Sequence, residues 1–175
     1  MAAALAAGPD LERTVKEESK ARIQRAMDEV KAKKEALAVK RDELVARAHE
    51  NVQAFIALRR DVIQPVMQEF QALQSGKRPE IFVGQEDGQQ GSGSREPVSP
   101  SITLSVGMSS GGGPAPSITF YNSAGMNVVG VRVEADLLPG LREQVGKNLR
   151  HAEVTRDRIE AILAEFVAKS IPVAQ

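Results

Sequence analysis

The first third of the chain carries apolar residues at the seven-residue spacing typical of a coiled coil. Residues 10–63 contain no Gly or Pro and are rich in Ala, Glu, Lys, Arg and Leu, which favour helices. One seam position is aliphatic in five of six heptads, with Asn51 as the exception. At the other seam position Lys34 and Arg41 interrupt the apolar series. The pattern predicts a long coiled-coil helix over residues 10–75, kinked near Pro65.

The length of this helix bears on how its seam is covered. The 54 residues without Gly or Pro would span roughly 80 Å at about 1.5 Å per residue. A compact chain of this size has a radius of gyration of only ~16 Å. A solvated helix, or one packed entirely into its own domain, is the alternative interpretation. We expect instead that a second helix covers the seam, and the predicted oligomer interface comprises Ile23, Met27, Val30, Leu37, Leu44, Ala48, Phe55 and Leu58.

After Gly76 and Pro79 the apolar period changes to two. Alternation begins near Ile81 and recurs around residues 102–108, 118–120 and 129–133. Such alternation is typical of strands with one covered and one solvated face. The sequence therefore predicts a small antiparallel β-meander of three or four strands within residues 79–136.

Three segments of the chain have few side chains that a core could bury. We expect disorder in residues 1–9 and flexible loops at 85–100 and 109–116, because these segments are rich in Gly, Ser, Pro or Ala.

After Pro139 and Gly140, apolar residues at helical spacing predict a long C-terminal amphipathic helix over residues 139–171. The predicted fold class is α+β: long helix, small sheet, long helix.

Composition narrows the possible functions. The chain of 175 residues has 23 basic and 23 acidic side chains, so no net field attracts it to polyanions. Residues 10–63 hold 13 basic and 11 acidic residues, intermixed along the sequence as in a solvated coiled coil. We therefore expect neither nucleic acid nor a membrane as partner. The absence of cysteine excludes disulfides, thiol nucleophiles and cysteine-ligated zinc.

The residues suited to catalysis are few. The two histidines, His49 and His151, stand among charged residues in predicted helices and are interpreted as surface side chains. No His-Glu-x-x-His or Gly-x-Ser-x-Gly motif occurs, and the segment 75–78 lacks the first Gly and the magnesium-binding hydroxyl of a phosphate-binding loop. We predict no catalytic, cofactor or metal site. A small enzyme assembled at an oligomer interface from the histidines and carboxylates is the weakest of the functional hypotheses.

The preferred hypothesis is a non-enzymatic cytoplasmic scaffold or interaction protein. It would dimerise through its long helix and present a small helix-backed sheet to a partner protein of unknown identity. The alternative is a regulatory binder of a single client protein, such as an immunity protein, an antitoxin or a secretion chaperone. The physical basis for both is that a long apolar seam is unstable in water.

Overall fold

The computed structural model describes residues 9–88, 99–107, 115–123, 126–134 and 147–171, with side chains described from Glu17 onward. The chain divides into two compact units, residues 1–45 and 46–175. The predicted disordered segment 1–9 lies outside the described residues except for Pro9, the first residue of helix α1. Most of the two predicted loops, residues 89–98 and 109–114, also lies outside them.

Helix α1 (Pro9–Leu58) provides all of the described structure of the first unit. Its continuity follows from the absence of Gly and Pro and from the many residues that lose little rotamer freedom in a helix. Every described side chain from residue 17 to residue 45 is exposed within the single chain. This part of the helix therefore draws its stability in the isolated chain from local propensity and side-chain pairs alone.

A π-helical turn (Arg59–Ile63) separates α1 from helix α2 (Gln64–Leu73). The amide of Gln64 donates to the carbonyl of Arg59, five residues back. Pro65 follows at once, and proline has no amide hydrogen and crowds the carbonyl four residues before it. The wider turn is where the helical hydrogen-bond pattern accommodates this residue. Beyond α2, Gly76 takes a positive φ of 73°, which suits a residue without a side chain at a helix end.

The second unit contains one antiparallel sheet with strand order β1-β2-β3-β4-β5. The strands are β1 (Ile81–Glu86), β2 (Ser101–Val106), β3 (Ser117–Asn122), β4 (Val128–Glu134) and β5 (Leu149–Arg150). The α+β class and the antiparallel sheet are thus confirmed, whereas the predicted count of three or four strands is wrong. The fifth strand pairs Leu149 and Arg150 with Val129 and Val128. Two residues are too few to show a period, so the sequence gives no sign of β5.

One face of the sheet and the helices beside it form a single hydrophobic core. The register places apolar residues next to each other on this face, as where Leu104 pairs with Val83 on one side and with Ile118 on the other. The helical side chains buried in the same core are Phe55, Ile63, Val66, Met67, Ile159, Ile162, Leu163 and Phe166. The sheet therefore has one face in the core, as its alternating pattern predicts.

The C-terminal helix α3 (Arg156–Ser170) is half as long as predicted. Residues 149–150 form β5 and residues 151–153 form a 3-10 turn, so the helix predicted over 139–171 is wrong for residues 149–153. Residues 139–146 lie outside the described structure. Thr155 begins α3 by accepting the amide hydrogen of Arg158 through its hydroxyl at 3.3 Å. An N-cap at this point explains why helical spacing upstream of it does not mean helix.

The predicted loop over residues 85–100 begins later than expected. Gln85 and Glu86 belong to β1 and pair with Ile102 and Ser101. The carbonyl of Pro100 accepts a hydrogen bond from the amide of Asn122.

In the part of the chain that the structure describes, no helix is long and apolar enough to cross a membrane.

Candidate protein-interaction surface

A line of exposed apolar side chains runs along the first unit. Among the described residues ten large hydrophobic side chains are exposed, and seven of these lie between residues 23 and 45. Five of the seven are at the predicted heptad positions, and we call these five the seam. The seam consists of Ile23, Met27, Val30, Leu37 and Leu44, which are 51–66% exposed.

Helix geometry places the seam residues on one side of α1. They are separated by four, three or seven residues, and such spacings return to the same face at 3.6 residues per turn. Val39, which is 58% exposed, stands two positions after Leu37 and therefore on a different side of the helix. Val39 thus provides an exposed aliphatic residue of the same helix that is outside the seam.

The other three predicted interface residues lie in the second unit, where the chain itself covers them to a greater degree. Phe55 is fully buried in the core, and Leu58 is half-buried and packs against that core. Ala48 is half-buried. The contacts of Phe55 and Leu58 are therefore made within one chain, and the part of the predicted interface that stays exposed is the seam.

Charges around the seam from Met27 onward are segregated, although they are intermixed along the sequence. Between residues 27 and 45, all basic side chains stand at seam positions or directly beside them, and all acidic ones stand on the outer side. The basic residues are Lys31, Lys33, Lys34, Lys40 and Arg41. The acidic residues are Asp28, Glu29, Glu35, Asp42 and Glu43. The apolar surface of this neutral chain is therefore flanked by positive charge.

Arg59 has a structural role that the sequence analysis missed. It is one of the 13 basic residues of segment 10–63 that the sequence pattern places among solvated charges, but it is only 8% exposed. Its guanidinium donates to the carbonyls of Glu86 and Ser101, at 3.1 and 3.3 Å, and to the carboxylate of Asp87. Arg59 follows the buried Phe55 by four residues and precedes the buried Ile63 by four. That spacing was the available signal that the side chain faces the core.

The second face of the sheet carries polar side chains and one aromatic ring. The hydroxyls of Thr103 and Thr119 lie 2.9 Å apart across strands β2 and β3. The ring of Tyr121 covers Gly130, its cross-strand neighbour, and the guanidinium of Arg132 lies 5.7 Å from the centre of that ring. Thr119 is only 7% exposed and its hydroxyl is paired with that of Thr103, whereas the side chain of Arg132 is 60% exposed.

The two histidines differ in their surroundings. His49 is exposed on α1, whereas His151 is half-buried in the 3-10 turn with its Nε2 atom enclosed and without a partner among the described residues. Burial lowers the pKa of His151 below its ordinary value. Within the described ranges no three His, Asp or Glu side chains are close enough to hold a metal ion.

A shallow groove lies between α2 and α3 in the second unit. Its volume is about 490 Å³, and Phe70, Leu73 and two alanines of α3 provide its apolar lining. Three carboxylates also line the groove, and Arg156 forms ion pairs with two of them, Glu69 and Glu160. The exposed ion pairs contribute little to stability.

The chain matches no protein-family model, no curated protein and no solved structure. Inference about its function therefore rests on the geometry of the chain itself.

Proposed function

We propose that the chain is a non-enzymatic interaction protein that dimerises through the seam of its long helix. The observation that carries this proposal is the line of five seam residues, each exposed by half or more in the single chain. Fully burying an aliphatic side chain gains about 1.5–3 kcal/mol, so helix pairing along this line is favourable. The helix-backed sheet of the second unit is then free to contact another protein. The cytoplasmic location stays a prediction.

A regulatory binder of one client protein is the second candidate, and the charge distribution around the seam favours it. Basic side chains beside an apolar stripe complement an acidic helix. A client of this kind would occupy the same surface as a second copy. The two candidates differ in their response to salt, because attraction between exposed opposite charges weakens as ionic strength rises.

Two matched aspartate variants test the proposal. Leu37→Asp introduces a charge into the seam, whereas Val39→Asp introduces the same charge on another side of the same helix. Since an unpaired charge in an apolar contact costs several kcal/mol, Leu37→Asp should raise the dimer dissociation constant by at least about a hundredfold. Val39→Asp should leave the dissociation constant within about threefold of the parent, because its position stays in water.

Sedimentation velocity over a range of concentrations measures both effects. Circular dichroism of the same samples gives a second readout, since Leu37→Asp alone should lose helix from the first unit when its pairing is lost. If both variants keep the parental mass, the seam is not the dimer contact. If both variants dissociate equally, the effect comes from helix charge and the seam has no special role.

A further inference from the structure

The two charged residues at seam positions give information about the orientation of the pair. Lys34 and Arg41 are seven residues apart and occupy successive layers of the same seam position. In a parallel pair of identical helices, each residue at this position faces its own copy. Lys34 would then face Lys34, and Arg41 would face Arg41, inside the contact. Two like-charge layers in succession disfavour the parallel arrangement.

An antiparallel pair removes both of these layers. In antiparallel coiled coils the two kinds of seam position face each other, so a charged residue of one kind meets an aliphatic residue of the other. With the two-fold axis between residues 35 and 36, Lys34 faces Leu37 of the second copy, and Arg41 faces Val30. The long stems then cover aliphatic neighbours while the charges reach water at the edge. Met27 faces Leu44, which completes an apolar layer at each end.

We infer that the occupant of the seam is a second copy of this chain, bound antiparallel about an axis between residues 35 and 36. The inference rests on the proposed function and adds the orientation and the register. Lys34 and Arg41 meet aliphatic residues whenever the two kinds of seam position face each other, so the axis is chosen by the ends of the seam. An axis between residues 35 and 36 places Met27 opposite Leu44, whereas moving it by half a heptad in either direction puts Leu44 opposite Lys20 or Met27 opposite Asn51. Because the axis relates the two copies, every such layer occurs twice.

The flanking lysines predict how the antiparallel pair responds to salt. Lys33 of one copy lies beside Lys40 of the other in this register, and the two side chains are exposed in the single chain. Salt screens this repulsion, with a Debye length that falls from ~30 Å at 0.01 M to ~3 Å at 1 M. The dimer dissociation constant should therefore fall severalfold as salt is added. A complex with an acidic helix would respond with the opposite sign.

Single cysteines can report the orientation directly, because the chain has no cysteine of its own. Met27→Cys and Leu44→Cys change side chains that are 61% and 65% exposed in the single chain, so neither should disturb the core. In the antiparallel register residue 27 faces residue 44, whereas residue 27 is roughly 25 Å from its own copy at 1.5 Å per residue. Mild oxidation of the mixed variants should give a disulfide-linked dimer, and either variant alone should give none.

Three further outcomes complete the test on the full chain. Val39→Cys serves as the control and should not cross-link in any mixture, because its position is outside the seam. Cross-linking of each seam variant with itself would show a parallel pair and overturn the orientation while leaving the proposed dimer intact. A chain that stays monomeric at every concentration and gives no cross-link would overturn the proposed dimer, and this inference with it.

Discussion

Replacing Arg59 with Met tests whether the buried guanidinium holds the first hairpin to the helical layer. The methionine keeps most of the apolar stem, so the change removes mainly the donors to the carbonyls of Glu86 and Ser101. A buried polar group left without its partner costs about 1–3 kcal/mol. Two such carbonyls, one of them partly open to water, give an expected loss of about 2–4 kcal/mol in the free energy of unfolding.

The ion pair with Asp87 contributes less than the two carbonyl contacts. The side chain of Asp87 is 67% exposed, so water can replace the guanidinium. Pairs of this kind are worth up to about 1 kcal/mol. Asp87→Asn should therefore cost less than ~1 kcal/mol, well below the cost of Arg59→Met.

Urea unfolding followed by circular dichroism at one fixed chain concentration measures these free energies. Arg60→Met is the matched control, because Arg60 is the next residue, its side chain is 73% exposed and its ion pair is with Asp61. This control should stay within ~0.5 kcal/mol of the parent. Equal stability of Arg59→Met and Arg60→Met would refute the role of the buried guanidinium. Equal losses in Arg59→Met and Asp87→Asn would assign that role to the ion pair instead.

Two further predictions concern the second unit. A Cβ at Gly130 would lie 2.3–2.7 Å from ring atoms of Tyr121, so Gly130→Ala should lower the free energy of unfolding by about 1–3 kcal/mol and change the fluorescence emission of the single tyrosine. The control Gly84→Ala, whose Cβ would have nothing within 4 Å, should leave the emission unchanged. Equal emission changes in the two variants would contradict the contact. Because burial lowers the pKa of His151 in the folded chain, the unfolded chain binds more protons as pH falls below about 6.5. The free energy of unfolding should therefore decline below that pH in the parent and in the control His49→Gln, and decline less in His151→Gln. Urea midpoints that depend on pH identically in all three chains would contradict the role of His151.

Much of the fold could be predicted because its signals are periodic. The heptad spacing and the absence of Gly and Pro located α1, and alternation of apolar residues located β1 to β4. The predictions were wrong where an element is too short to show a period, or where an N-cap starts a helix later than the apolar spacing indicates. Strand β5 has two residues, and Thr155 starts α3 after a stretch whose spacing still looks helical.

For a similar reason the pattern alone does not separate the exposed seam from the buried end of the same helix. A heptad pattern identifies which residues share a face but not where that face enters a core, so Phe55 and the exposed Leu37 have the same signature. Charge counted along the sequence concealed the basic flanks of the seam, which become evident only when residues are placed around the helix. Arg59 was missed because its partners are backbone carbonyls far away in the sequence.

Sedimentation equilibrium of the unmodified full chain tests the dimer most directly. The account predicts a molar mass that rises with concentration from 18.8 kDa toward about twice that value, since one copy covers the seam of the other. The same chain with Leu37→Asp should remain at the lower mass. A parental mass of 18.8 kDa at every concentration would contradict the central claim.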